Sequence, residues 1–144
     1  MAIGLALYCI HMEHFSPARS ILIIEDDPAL GVALGESLIG AGYSVRLEVS
    51  GEQGLEVAKL QHPDLIVLDL IMPGLGGIGV LRQLRKDPWG AGVPVLVLSN
   101  LPSVSKEAES LELGAVAYLL KSHTPLAKVL KVIASTLGGP ATAQ

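Results

Sequence analysis

Aromatic residues are scarce in this 144-residue chain, with one Trp, one Phe and three Tyr, although half of all residues are apolar. A core with so few rings has to be built from Leu, Val, Ile and Ala, the composition of buried parallel strands covered by helices. A basic stripe is missing as well. Ten Lys and Arg stand against 14 Asp and Glu, a net charge of −4, which leaves no electrostatic footprint for nucleic-acid phosphates and no expectation of direct nucleic-acid binding. The single cysteine, Cys9, excludes an internal disulfide and gives no reason to invoke an oxidising compartment. No apolar run is long enough to cross about 30 Å of hydrocarbon. The one candidate, Ile3 to Ile10, has no Lys or Arg before it and no small-residue cleavage site before His11 and Glu13. It reads as an N-terminal extension, residues 1–19, on a cytoplasmic protein with no membrane association, and Met12 is an alternative start. Cys9, His11 and His14 are spaced loosely like metal ligands but have no fourth ligand nearby.

What is present is a regular alternation. From Ser20 onward, short apolar runs alternate with helical patterns in five strand-then-helix units, without internal repeat or low-complexity tract. The expected strands are Ile21 to Ile24, Tyr43 to Leu47, Leu65 to Leu68, Val95 to Leu98 and Ala117 to Leu120. Most are unbroken β-branched or Leu runs, which predicts a parallel sheet with helices on both faces. The first helix begins near Pro28 and places Leu30, Leu34 and Leu38 on one stripe before Gly40 and Gly42 end it. Ser50 and Gln53 form a capping-box pattern for the second. Thr124 as N-cap and Pro125 as first helical residue open the fifth, which carries Leu126, Val129, Leu130, Ile133 and Leu137 on a helical period. One domain over residues 20–137 is expected, with a Gly/Pro/Ala tail over 138–144 and no second domain.

Acidic residues fall where such a sheet keeps its functional groups, at the carboxyl ends of strands. The first strand runs into Glu25-Asp26-Asp27 and the third into Asp69. At an effective dielectric of about 20, two anions about 4 Å apart repel by roughly 4 kcal/mol, so clustered carboxylates require positive charge among them. A hard divalent cation with oxygen ligands, Mg²⁺ above all, suits such a site. Ser99 closes the fourth strand with a hydroxyl, and Lys121 follows the fifth with an ammonium. A carboxylate surrounded by metal, cation and hydroxyl suits phosphoryl transfer, with Asp69 as nucleophile and Lys121 and Mg²⁺ offsetting charge on the transferring group.

The segments ILIIEDDPAL, LIVLDLIMPGLGG, VPVLVLSN and GAVAYLLKS, in this order and spacing, resemble the receiver domain of bacterial two-component response regulators, over about Ser20 to Leu137. The resemblance implies a flavodoxin-like, doubly wound five-stranded parallel sheet of order 2-1-3-4-5. It implies that Asp69 is the phosphoacceptor, Asp26 a direct metal ligand, Glu25 a ligand through water and the Ile71 carbonyl a further ligand. Ser99 would be the hydroxyl that turns toward the phosphoryl group, Lys121 the cation of the site, and Tyr118 the aromatic whose ring moves inward on activation. The implied protein is a phosphoacceptor switch and not an enzyme acting on other substrates. Its implied partners are a histidine kinase or phosphotransfer protein on the input side and a separate effector protein on the output side, and phosphorylation-dependent pairing of two copies stays open.

Two positions depart from the family pattern: Asn100 stands where a small residue is common, and Ser122 where a proline in a cis peptide is common. A cis bond to a non-proline residue costs about 2.5 to 4 kcal/mol, so Lys121 is either held at that cost or placed differently. These departures keep open a non-phosphorylated docking module with the same fold. A small phosphate-ester hydrolase ranks last, because Ile71 stands where a second acid would be and no cap domain is present. Taken alone, Asp69 is also compatible with a strand-end carboxylate capping a turn, and Glu25 and Asp26 with acids favouring a helix N-terminus. Gly74, Gly76, Gly77 and Gly79 match neither a dinucleotide site nor a P-loop and read as a flexible loop. His62 and His123 read as surface or turn residues.

Overall fold

The computed structural model describes residues 17–138. The proposed start at Met12, the Cys9, His11 and His14 group and the tail beyond Gly138 lie outside the described residues. The chain runs β1 (Ser20–Ile24), α1 (Pro28–Gly40), β2 (Ser44–Glu48), α2 (Gly51–Gln61), β3 (Leu65–Leu68), α3 (Gly76–Lys86), β4 (Val95–Ser99), α4 (Val104–Glu112), β5 (Ala117–Leu120) and α5 (Leu126–Leu137). Every strand pairing is parallel, in the order β2-β1-β3-β4-β5. This is the parallel sheet that the alternation predicts, in the flavodoxin-like, doubly wound single-domain form that the resemblance implies. Chain order reverses between β1 and β3, and in open α/β sheets the crevice at such a point, outside the carboxyl ends of the strands, is where ligands bind.

The unbroken apolar runs are central strands: β1, β3 and β4 are buried almost throughout, whereas the edge strands β2 and β5 are half-exposed. One face of the sheet packs Ile21, Ile23, Val67 and Leu96 against Leu34 and Leu38 of α1 and Val129, Ile133 and Leu137 of α5. The other packs Leu22, Ile24, Ile66, Leu68 and Val97 against Ala58 of α2 and Val80, Leu81 and Leu84 of α3. Leu30, expected on the α1 stripe, is at its margin; Gly31 is buried instead, and a Cβ there would lie 2.7 Å from Leu47 Cδ1.

Several expected boundaries move. Tyr43 is not in β2, because its N–H donates to Leu38 O at the end of α1 (3.0 Å). The ladder starts with Ser44, opposite Ser20, and runs to Glu48, opposite Ile24. At α5 the N-cap is Pro125 rather than Thr124: its ψ of 149° is extended, and its carbonyl accepts the first helical bonds from Lys128 (3.0 Å) and Val129 (3.3 Å). The glycine segment expected as a loop becomes helix from Gly76 onward. Ser50 does cap α2, its hydroxyl accepting from Gln53 N–H at 3.2 Å.

At the amino ends of the strands, His62 terminates α2 in a left-handed conformation (φ 49°) and its ring stacks on Trp89, centroids 4.5 Å apart and 10° from parallel. Arg85, at the end of α3, donates to the carbonyls of Leu113, Gly90, Val93 and Gly114 at 2.6 to 3.2 Å. It thereby ties the α3–β4 connection to the end of α4. Burial pushes its guanidinium below the usual value.

Candidate functional site

The carboxyl ends of β1, β3, β4 and β5 deliver polar side chains to the same edge of the sheet, Glu25 and Asp26 from β1 and one each from the others, and backbone bonds that continue the ladder help fix their positions. Glu25 N–H donates to Glu48 O (3.0 Å), Asp69 N–H to Ile24 O (3.0 Å) and Lys121 N–H to Ser99 O (2.9 Å). Residues immediately after a strand therefore inherit its register, which is why they were legible from sequence. Asp27 is the N-cap of α1, accepting from Ala29 N–H and Leu30 N–H, and it turns the chain so that Glu25 and Asp26 precede the helix.

Glu25 and Asp69 are both 5% exposed, while Asp26 is open to solvent. One carboxylate oxygen from each of the three lies within 4.8 Å of those of the other two. The expected cation is there too: Lys121 Nζ lies 2.5 Å from Glu25 Oε1 and 3.5 Å from Asp69 Oδ2. Burial, followed by the charge of Glu25, drives the Asp69 carboxyl up to about 7, with Lys121 opposing; a hydrogen bond with Glu25 adds to the rise and the Ile71 N–H works against it. One ammonium does not balance three carboxylates. The donor set is all oxygen, partly buried and open on the Asp26 side, so it fits a hard divalent cation.

Ile71 N–H donates to Asp69 Oδ1 at 3.3 Å, so the backbone of the β3–α3 connection touches the central carboxylate while the Ile71 side chain is half-exposed. Ser99 is fully buried and its hydroxyl accepts from Leu101 N–H at 3.2 Å. The Tyr118 hydroxyl donates to Leu101 O. Burial raises its phenol above the usual value, opposed by a hydrogen bond with Ser99. Ser99 and Tyr118 thus meet around the β4–α4 connection. Asn100 and Ser122, the two departures, are exposed. The peptide joining Lys121 to Ser122 is trans, so Lys121 reaches the acids without the cis bond.

Two structural partners escaped the sequence. Gly77 N–H donates to Leu70 O (3.0 Å), and a Cβ at Gly77 would lie 2.3 Å from Asp69 O and 2.5 Å from Leu70 Cα. Only glycine lets α3 abut the backbone that carries Asp69. Glu52, in the first turn of α2, accepts from Leu75 N–H at 2.7 Å. An acid in a first helical turn is visible in sequence; a loop partner 23 residues away is not.

The family model described as "Response regulator receiver domain" matches residues 21–133. Among curated proteins, the probable transcriptional regulator ycf27 of Porphyridium aerugineum is 41% identical over 107 residues, 74% of this chain and 43% of the relative. The response regulator MprA of Mycolicibacterium vanbaalenii is 43% identical over 105 residues, 73% of this chain and 44% of the relative. The chain thus spans less than half the length of these curated relatives. Among solved structures, the BeF3-activated N-terminal receiver domain of Klebsiella pneumoniae RstA superposes with a TM-score of 0.76 at 34% identity, covering 83% of this chain and 98% of that one. A CheY-like receiver domain protein from Methanospirillum hungatei does so with a TM-score of 0.79 at 25% identity, covering 84% and 94%. With its fold, its acidic edge and a family match over most of its length, the chain belongs to the response regulator receiver family of two-component signalling systems.

Proposed function

We propose that this chain acts as a receiver, its domain spanning residues 20–137, that accepts a phosphoryl group onto Asp69 from phosphohistidine on a histidine kinase or phosphotransfer protein in the cytoplasm. The observation that carries this is the buried Asp69 carboxylate flanked by Lys121, Glu25 and Asp26 at the carboxyl edge of the sheet. A carboxylate oxygen of Asp69 attacks phosphorus while the phosphorus–nitrogen bond of the donor breaks, its electron pair leaving with the imidazole, and an acyl phosphate remains. Asp26 directly, Glu25 through water, Asp69 and the Ile71 carbonyl would hold Mg²⁺, which when bound offsets charge on the phosphoryl oxygens. Lys121, already between Glu25 and Asp69, supplies the second positive charge, and the ionised form of Asp69 is the nucleophile. The Ser99 hydroxyl turns to a phosphoryl oxygen, and Tyr118 follows inward behind it.

The charge change switches a surface for a separate effector protein, with no direct nucleic-acid contact and no membrane; two phosphorylated copies pairing is the other form this output takes. Among the described residues no helix is long and apolar enough to cross a membrane. The function is signalling, with only self-directed phosphotransfer and dephosphorylation.

Incubation with Mg²⁺ and acetyl phosphate should give a labile phosphoryl adduct by intact mass, absent in Asp69→Ala. Persistent labelling of that variant would overturn the assignment of Asp69. Failure of the wild-type chain to bind either Mg²⁺ or beryllofluoride would leave the non-phosphorylated docking module.

A further inference from the structure

Glu52 lies on α2, an element that contributes nothing to the acid cluster, yet it bonds the loop that does. Its Oε1 accepts from Leu75 N–H at 2.7 Å across 23 residues of sequence. Gly74, in the left-handed region at φ 78°, leaves room for the carboxylate: a Cβ there would stand 2.5 Å from Glu52 Oε1. The Leu75 N–H, followed by Glu52's own N–H, holds the carboxyl below its ordinary range. Next to Leu75, Gly76 opens α3, and at the far end of the same short connection Ile71 N–H reaches Asp69 Oδ1. The connection is thus pinned at both ends, on one side by the central acid and on the other by Glu52.

We propose that Glu52 is a positioning residue for phosphorylation, acting as a latch that sets the β3–α3 connection and, through it, the backbone of Ile71 beside Asp69. This rests on the phosphoacceptor reading above. The competing account is that Glu52 only places negative charge at the N-terminus of α2, where it favours the helix dipole. The two accounts separate chemically. Gln keeps an acceptor oxygen at the same reach but loses the charge, whereas Asp keeps the charge but is one methylene shorter.

The test compares the full chain with Glu52→Gln, Glu52→Asp and Glu52→Ala by Mg²⁺ calorimetry, by the rate of labelling with acetyl phosphate, and by amide hydrogen exchange at Leu75 and Ile71. A latch predicts that Glu52→Gln stays within about twofold of wild type. Glu52→Asp and Glu52→Ala should weaken Mg²⁺ binding and slow labelling by about three- to tenfold, as loss of one ordinary hydrogen bond implies, with faster exchange at both amides. The reverse pattern, a normal Glu52→Asp with a defective Glu52→Gln, overturns the proposal in favour of the charge. So does faster exchange at Leu75 alone with unchanged Mg²⁺ affinity. If the wild-type chain takes no phosphoryl group, the phosphoacceptor reading fails, while exchange and Mg²⁺ affinity still decide the latch.

Discussion

Asp69 and Glu25 are two buried acids that share one ammonium, and Lys121 stands closer to Glu25 than to Asp69. The carboxyl of Asp69 is raised from 3.8 to about 7, the opposite of the usual direction for an acid with a cationic neighbour. Between those values the metal-free folded chain holds a proton that the unfolded chain has already released, so this group's contribution to stability falls as pH climbs through that window and levels off above it. Denaturant titrations in chelator at about pH 5 and about pH 8 should show wild type losing ground to Asp69→Asn at the higher value. A gain for wild type on raising pH, relative to that variant, would refute the assigned burial. Mg²⁺ binding needs the ionised acid, so its stabilising effect on wild type should grow over the same window.

Among the elements, α3 is where sequence and structure part most, and the reason is packing. Four glycines at positions 74, 76, 77 and 79 argue against helix on propensity alone, yet α3 starts at Gly76 because a side chain at Gly77 would collide with the backbone of Asp69 and Leu70. Gly77→Ala should destabilise the fold by about 2 kcal/mol or more. Gly40→Ala, at the end of α1 with nothing within 4 Å of its new Cβ, should be neutral or stabilising by up to about 1 kcal/mol. Urea unfolding of both variants checks the contrast, and equal effects would mean that α3 does not depend on that close approach. Helix α4 was expected only as the fourth strand-then-helix unit, and its bounds were illegible for a different reason. Its sole buried residue is Ser110, so it carries no apolar stripe for a periodicity to reveal. It is held by polar bonds, with Arg82 pairing to Glu109 and Arg85 bonding the carbonyls of Leu113 and Gly114. The strands, by contrast, announce themselves, because a strand buried on both faces reads as an unbroken apolar run. The acids, Ser99 and Lys121 were legible because each directly follows or closes such a run.

On the scale of the whole molecule, the sheet separates two apolar layers that do not touch. Leu81 lies in one and Ile133 in the other, and both are fully buried. Each truncation to Ala should cost about 2 to 5 kcal/mol, and because the sites share no partners the double variant should lose the sum to within about 0.5 kcal/mol. A shortfall well beyond that in urea or thermal unfolding would mean that the layers communicate through the strands. Neither substitution touches the carboxyl edge, so the surviving folded fraction should still label with acetyl phosphate.

The chain contains one tryptophan, and its indole lies face to face with an imidazole at the strands' amino ends, a sheet's length away from the acids. Tryptophan fluorescence, excited selectively, is therefore a gauge of whether the body is folded and is blind to events confined to the carboxyl edge. Any change in indole emission on phosphorylation would have to travel the length of the strands, which makes this indole a built-in test for how far the signal spreads.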